Sequence, residues 1–152
     1  MKTDIKEGIY IVDAEGEFHR PEEWKKQSDP TTAQCVALVA GQTRLLISKK
    51  NLEEQNFDDA QKSAAKVTLC GNTCRCAARK ESHDIYDTRF RGLDEAMQLI
   101  GGDPLTNSYW TCEADPDPEY CIYYAFIYSG NSGYVSATAK DGATSVRPLA
   151  EF

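Results

Sequence analysis

The chain has 152 residues, 41% of them hydrophobic and 27% charged, with a formal net charge of −7. That length suits one domain with its own core. The acidic balance argues against a nucleic-acid partner, because the densest basic stretches, Lys49-Lys50 and Arg75 to Lys80, are short. No apolar run approaches the roughly 20 residues needed to cross a bilayer, so direct membrane insertion is not expected. The opening Met1-Lys2-Thr3-Asp4-Ile5-Lys6-Glu7 lacks the apolar core of a signal peptide: either export does not use that route or a signal has been removed.

In chain order, Gly8-Ile9-Tyr10-Ile11-Val12-Asp13 is a β-branched and aromatic run. Asp13-Ala14-Glu15-Gly16 supplies a turn, and Glu17-Phe18-His19 returns as a second strand. Pro21-Glu22-Glu23-Trp24 reads as the first turn of a short helix, with proline at the first position and acids at the positive dipole end. Cys35 to Val39 and Arg44 to Ser48 read as two buried strands around Gly41. Asp58 to Lys66 favours helix, acids first and lysines last, and Val67-Thr68-Leu69 a brief strand. Cys70 to Asp84 has no hydrophobic period and reads as a loop. Asp87 or Thr88 then caps a helix whose Phe90, Leu93, Met97 and Ile100 fall on one face, ended by Gly101-Gly102. From Tyr109 to Phe152 the pattern is strands and turns. Helices in the first two thirds with strands at both ends indicate an α+β domain.

The C-terminal third carries a recognisable order of residues. It reads Ile100-Gly101-Gly102-Asp103-Pro104-Leu105, Tyr109-Trp110-Thr111, Tyr124-Ala125-Phe126, Gly133-Tyr134-Val135, Lys140, and Val146-Arg147-Pro148-Leu149-Ala150-Glu151-Phe152. This resembles the C-terminal half of C-type-lectin-fold domains of gut bacteria and their phages. The opening hairpin with Trp24 is similar to their N-terminal part, while Lys49 to Arg89 carries no likeness. Cys112 stands where the family has Ser or Thr, and Phe126 where it has Trp. The resemblance implies one C-type-lectin-like α+β domain over residues 1–152, with two helices and small antiparallel sheets. Tyr109, Trp110, Val135, Val146 and Arg147 would then serve the scaffold. Trp110 is expected to be buried, and the Arg147 guanidinium to tie carbonyls or a carboxylate across the closing strands.

A subset of that family comprises the variable proteins of diversity-generating retroelements, in which one surface is rewritten while the fold stays constant. Between the fixed-looking positions stand Ile127-Tyr128-Ser129-Gly130-Asn131-Ser132, Ser136-Ala137-Thr138-Ala139 and Asp141-Gly142-Ala143-Thr144-Ser145, all residues that adenine randomisation reaches. Loops are rich in small polar residues for ordinary reasons, but that accounts less well for Tyr120, Tyr123, Tyr124, Tyr128 and Tyr134 crowding one stretch. Tyrosine offers a large amphipathic area with little side-chain entropy to lose, and Ser, Gly, Asn and Asp add adaptable hydrogen bonding. Strand alternation buries about half of such a set.

The resemblance therefore implies ligand contacts at Tyr124, Tyr128, Ser129, Asn131, Tyr134, Ser136, Thr138, Asp141, Thr144 and Ser145, within a variable region at about 111–145. The ligand would be a protein or glycan on another cell, and the chain's place a cell surface or phage virion. No cofactor is implied. An adhesin or tail-tip domain with an unchanging partner is an alternative. A second is an enzyme of the formylglycine-generating type, using Cys112 and Cys121, although the motifs around such a cysteine pair are missing. His19 and His83 are the only histidines, and no nucleophile elbow, phosphate loop or zinc-protease motif occurs. Asp115-Pro116-Asp117-Pro118-Glu119 has the carboxylates that calcium prefers but reads as a solvated turn. Cys70, Cys74 and Cys76 with His83 have poor zinc spacing, which favours free thiols or a disulfide to Cys35 over a metal.

Overall fold

The computed structural model describes residues 5–152, so the expectation about the opening residues lies outside them at Met1–Asp4. Strand β1 (Gly8–Val12) turns back into β2 (Phe18–His19), and the Asp13 carboxylate accepts the Glu15 and Glu17 amides inside the turn. Pro21 opens α1 (Pro21–Trp24), whose Trp24 is buried with its indole N–H on the Pro30 carbonyl. Strands β3 (Cys35–Ala40) and β4 (Thr43–Ser48) pair around Gly41, which takes the positive φ the turn needs. Strand β5 (Leu52–Gln55) follows, unanticipated because Glu53 and Glu54 interrupt any apolar pattern. Helix α2 (Phe57–Ala64) is capped by the Asn56 side chain, which accepts the Asp59 N–H. Strands β6 (Thr68–Leu69) and β7 (Asn72–Thr73) form a small hairpin.

Residues 79–84 are helical, not loop. Helix α3 (Arg79–Thr88) runs into a wide π-type turn at Arg89–Leu93 and then into α4 (Asp94–Leu99). The apolar period is missing from α3 because two of its three buried positions are Glu81 and Ser82, with Ile85 the third. Glu81 stands in for a hydrophobe: it holds Arg75 through both carboxylate oxygens at 2.7 Å and accepts the Ala78 N–H. Asp87 and Thr88 therefore lie at the end of α3; Thr88 precedes the Arg89–Leu93 turn without a side-chain cap, and its hydroxyl instead donates to the Asp84 and Ile85 carbonyls. Leu93, Met97 and Ile100 are buried as expected, but Phe90 is exposed. Arg91 and Gly92 leave helical geometry, Gly92 with φ 114°, so the face presented before the break is not the face presented after it.

The remaining strands are β8 (Ser108–Ala114), β9 (Tyr124–Ser129), β10 (Val135–Ala139), β11 (Thr144–Val146) and β12 (Leu149–Glu151). They complete two five-stranded sheets, ordered β12-β4-β3-β1-β2 and β10-β9-β8-β11-β5. All pairs between these strands are antiparallel except β8 with β11. The fold is α+β, with about three helices and two mostly antiparallel sheets. Alternation along β1 sends Ile9 and Ile11 into the main core with Leu93, Met97, Tyr109 and Tyr128, and Tyr10 and Val12 into a second cluster with Leu69 and Cys74. A third cluster joins Phe57, Ala60 and Ala64 of α2 to Trp110, Ala125 and Val146 of the second sheet.

Trp110 is fully buried, its indole N–H on the Gln55 carbonyl and its ring edge-on to Phe57. Arg147 is buried as well. Its Nε donates to the Ser48 carbonyl at 2.9 Å, Nη1 to Asn51 Oδ1 at 2.8 Å and Nη2 to the Lys49 carbonyl at 3.2 Å. Tyr109 donates to the same Asn51 oxygen, so one amide ties β8 of the second sheet to the connection between β11 and β12. Tyr109 and Val146 are buried and Val135 packs half-buried against the main core, as the scaffold reading expects.

Candidate ligand-binding face

The register of β9 with β10 sorts the tyrosine-rich stretch. Ser136 pairs with Ile127 and Thr138 with Ala125, so these share the sheet face that α2 partly covers. Val135 and Ala137 pair with Tyr128 and Phe126 on the opposite face, towards α3. Ser129 has the same parity as Ile127, and Tyr134, whose carbonyl accepts the Ser129 N–H, stands opposite it and is 78% exposed. Ser129, Tyr134, Ser136 and Thr138 therefore line one open face beyond the edge of α2. Asn131 is exposed on the β9–β10 turn.

At the other end of β10 the turn is docked on α2. The Phe57 N–H binds the Lys140 carbonyl at 2.9 Å, and the Lys140 ammonium lies 5.1 Å from the Phe57 ring centre. A cleft of about 640 Å³ opens there, lined by Asn56, Asp58, Asp59, Lys62, Cys121, Ile122, Lys140 and Asp141. Asp141 thus has polar company from α2. No local signal could have assigned Asp58, Asp59 and Lys62 to this site, since only the packing of Phe57 and Ala60 on Trp110 brings α2 here. Tyr120, Ile122, Tyr123 and Tyr124 are exposed on the adjoining turn, with the Tyr120 and Tyr124 rings edge-on at 6.0 Å. Tyr124 has the parity of Phe126 and so leaves the sheet on the other face.

Two expected contacts are corrected. Tyr128 is 1% exposed, packed in the main core against Tyr109, and Ser145 is buried where β11 passes between β8 and β5. Both fall on inward positions of their strands, which no surface ligand reaches. Thr144 is half-buried beside Gln55 and lies away from β10.

In the acidic loop the Asp115 carboxylate accepts the Asp117 N–H and the Asp117 carboxylate accepts the Glu119 N–H, so both are spent on the turn itself. Among the described residues no group of three or more His, Cys, Asp or Glu is placed to hold a metal ion. The six cysteines are free thiols. A thiol–thiol hydrogen bond, reinforced by burial, pushes Cys35 up, and the same bond draws Cys70 down. Cys112 is exposed, yet partial desolvation of its thiol raises it, the wrong direction for a nucleophile, and Cys121 donates weakly to the Pro118 carbonyl. His19 is held by Asp13 at 2.8 Å, and His83 lies on α3, in a different part of the fold. No family model matches the chain, and no curated protein matches it.

Proposed function

We propose that this chain is a recognition protein: a C-type-lectin-like scaffold of the kind used by variable proteins of diversity-generating retroelements, acting by binding rather than catalysis and without a cofactor. Its contact face is formed by Ser129, Asn131, Tyr134, Ser136, Thr138 and Asp141, with the exposed side chains of the 120–123 turn at the rim and Tyr124 projecting from the opposite side of the sheet. The partner is a protein or glycan on another cell, met from a cell surface or a phage virion.

One observation carries this reading. Within a single short stretch, buried positions of the inner strand β9 (Ala125 under α2, Tyr128 in the main core) stand beside exposed tyrosine and small polar residues of the edge strand β10 and its turns, Asn131, Tyr134 and Ser136 among them. A surface built that way changes its ligand without changing its core. Tyr134, the most exposed aromatic of the face, supplies contact area at low entropic cost.

Sequencing the DNA that flanks the gene tests the assignment. A neighbouring reverse transcriptase, and a near-copy of the 3′ end with adenines at the codons of the outward positions, are expected. Absence of both, or adenines concentrated at the codons of Trp110 and Tyr128, would refute it.

A further inference from the structure

Four strands end the two large sheets, and three of them are blunted. β2 has two residues; β12 has three and exchanges backbone bonds with Arg75; β5 carries Glu53 and Glu54. Short length, cover and charge are how proteins keep other strands off a sheet edge. β10 has none of these. It is five residues long, Val135–Ala139, without charge or proline, and no described segment pairs with its outer side. Bonds at both ends, Ser129 N–H to the Tyr134 carbonyl and Lys140 N–H to the Tyr123 carbonyl, set the ladder's phase. Alternation then turns the backbone groups of Ser136 and Thr138 to β9 and those of Val135 and Ala137 to the open side.

Helix α3 runs alongside, opposite in direction to β10. Its Arg79 guanidinium sits 4.1 Å from the ring centre of Phe126, the residue paired with Ala137. Further along α3, Tyr86 lies so close over Gly133 that a Cβ there would meet its ring at 2.9 Å. Between these points Val135 shares a cleft of about 660 Å³ with Arg79, Lys80, His83 and Glu113. Glu113 is bound to Arg79, which leaves the exposed Lys80 ammonium as the cleft's surplus charge.

We propose that the open edge of β10 and the adjoining face of α3 form a groove for an extended peptide of a partner protein, added antiparallel to β10. An acidic side chain meets Lys80, an apolar one lies over Val135 beside His83, and an aromatic one reaches Tyr86. Backbone bonds supply affinity and the alternate side chains supply specificity. A second copy fits this edge less well. Pairing two β10 strands about a twofold axis normal to the sheet keeps both α3 helices on one side and brings the Lys80 ammonium of each copy to the same face, with no acidic group to meet it, since Glu113 is taken by Arg79. The groove goes beyond the contact face proposed above and stands independently of it, since it uses backbone and α3 rather than the side chains of Tyr134 and Ser136.

The test uses the full chain and a labelled peptide Ser-Glu-Thr-Val-Thr-Phe-Ser, followed by fluorescence anisotropy and amide hydrogen exchange. Saturable binding is expected, with slowed exchange at the Val135 and Ala137 amides. Lysine in place of the peptide's glutamate should weaken binding about fivefold, and Lys80→Glu should reverse that preference. Ala137→Pro removes an N–H that faces away from β9, so the strand tolerates it and binding is lost. If that variant does not fold, the Lys80 charge swap decides alone. No saturable binding, unchanged Ala137 exchange, or a preference indifferent to Lys80→Glu would overturn the proposal. So would a dimer that protects the Ala137 amide without peptide.

Discussion

Tyr128 and Tyr134 stand on either side of one turn, yet the first is 1% exposed and the second 78%. Their roles divide accordingly. The Tyr128 hydroxyl is buried without a hydrogen-bond partner among the described residues, and burial pushes its phenol up. A hydroxyl held that way contributes no bond to offset its desolvation. Tyr128→Phe is therefore expected to be neutral or to stabilise by up to about 1 kcal/mol, while Tyr128→Ala costs about 3–5 kcal/mol through the cavity it leaves. Urea denaturation separates the two, and a large loss for the phenylalanine variant would reveal a partner for the hydroxyl. Arg147 makes the complementary case. Its fork satisfies the Ser48 and Lys49 carbonyls and the Asn51 amide at once, which a lysine's single ammonium cannot span. Arg147→Lys should lose about 2 kcal/mol in the same assay; equal stability would reduce the fork to an incidental contact.

At the scale of elements, the helix from Arg79 to Leu99 was the least legible part of the chain. Its first turn is set by an ion pair rather than by hydrophobes, and ion pairs leave no period. Burial opposes ionisation of Glu81, but the two bonds from Arg75 and the Ala78 N–H outweigh it and hold the carboxyl below its ordinary value of 4.5. A depressed carboxyl stabilises the fold above that ordinary value and loses its contribution as pH falls through the lower folded value. Stability of the native chain should thus fall between pH 4.5 and more acidic conditions more steeply than that of Glu81→Gln. Thermal melts across that window give the comparison, and parallel curves would contradict it. Gly92 is the second element-scale test. A Cβ there has room, its nearest neighbour being Ile9 Cγ1 at 3.8 Å, so only the positive φ opposes a side chain. Gly92→Ala is expected to cost about 1–2 kcal/mol, measured by denaturation; no cost would mean that the turn relaxes into helix.

For the whole molecule, the proposed function requires a surface face that can change while the core stays constant. Tyr134→Ser, Ser136→Tyr and Asp141→Asn combined should move stability by less than about 1 kcal/mol, because each projects from the surface without a structural bond to another element. A cooperative loss in calorimetry would show that the face is part of the core. Most strands, α2 and the buried Trp110, Tyr109, Val146 and Arg147 were legible because burial on a strand repeats every two residues and glycine or proline marks the turns. What the sequence by itself determined is the α+β class and the alternation along each strand of the C-terminal third. Only the tertiary structure decided which side of that alternation faces water. Tyr128 and Ser145 read like their neighbours, but β9 is covered by the main core on one side and β11 is enclosed between two strands. The site's α2 wall, Asp58, Asp59 and Lys62, was equally invisible, since a helix joins a distant turn through the packing of Phe57 on Trp110. Such contacts depend on residues far apart in the chain, whereas a pattern read along it carries only what neighbouring residues impose on one another.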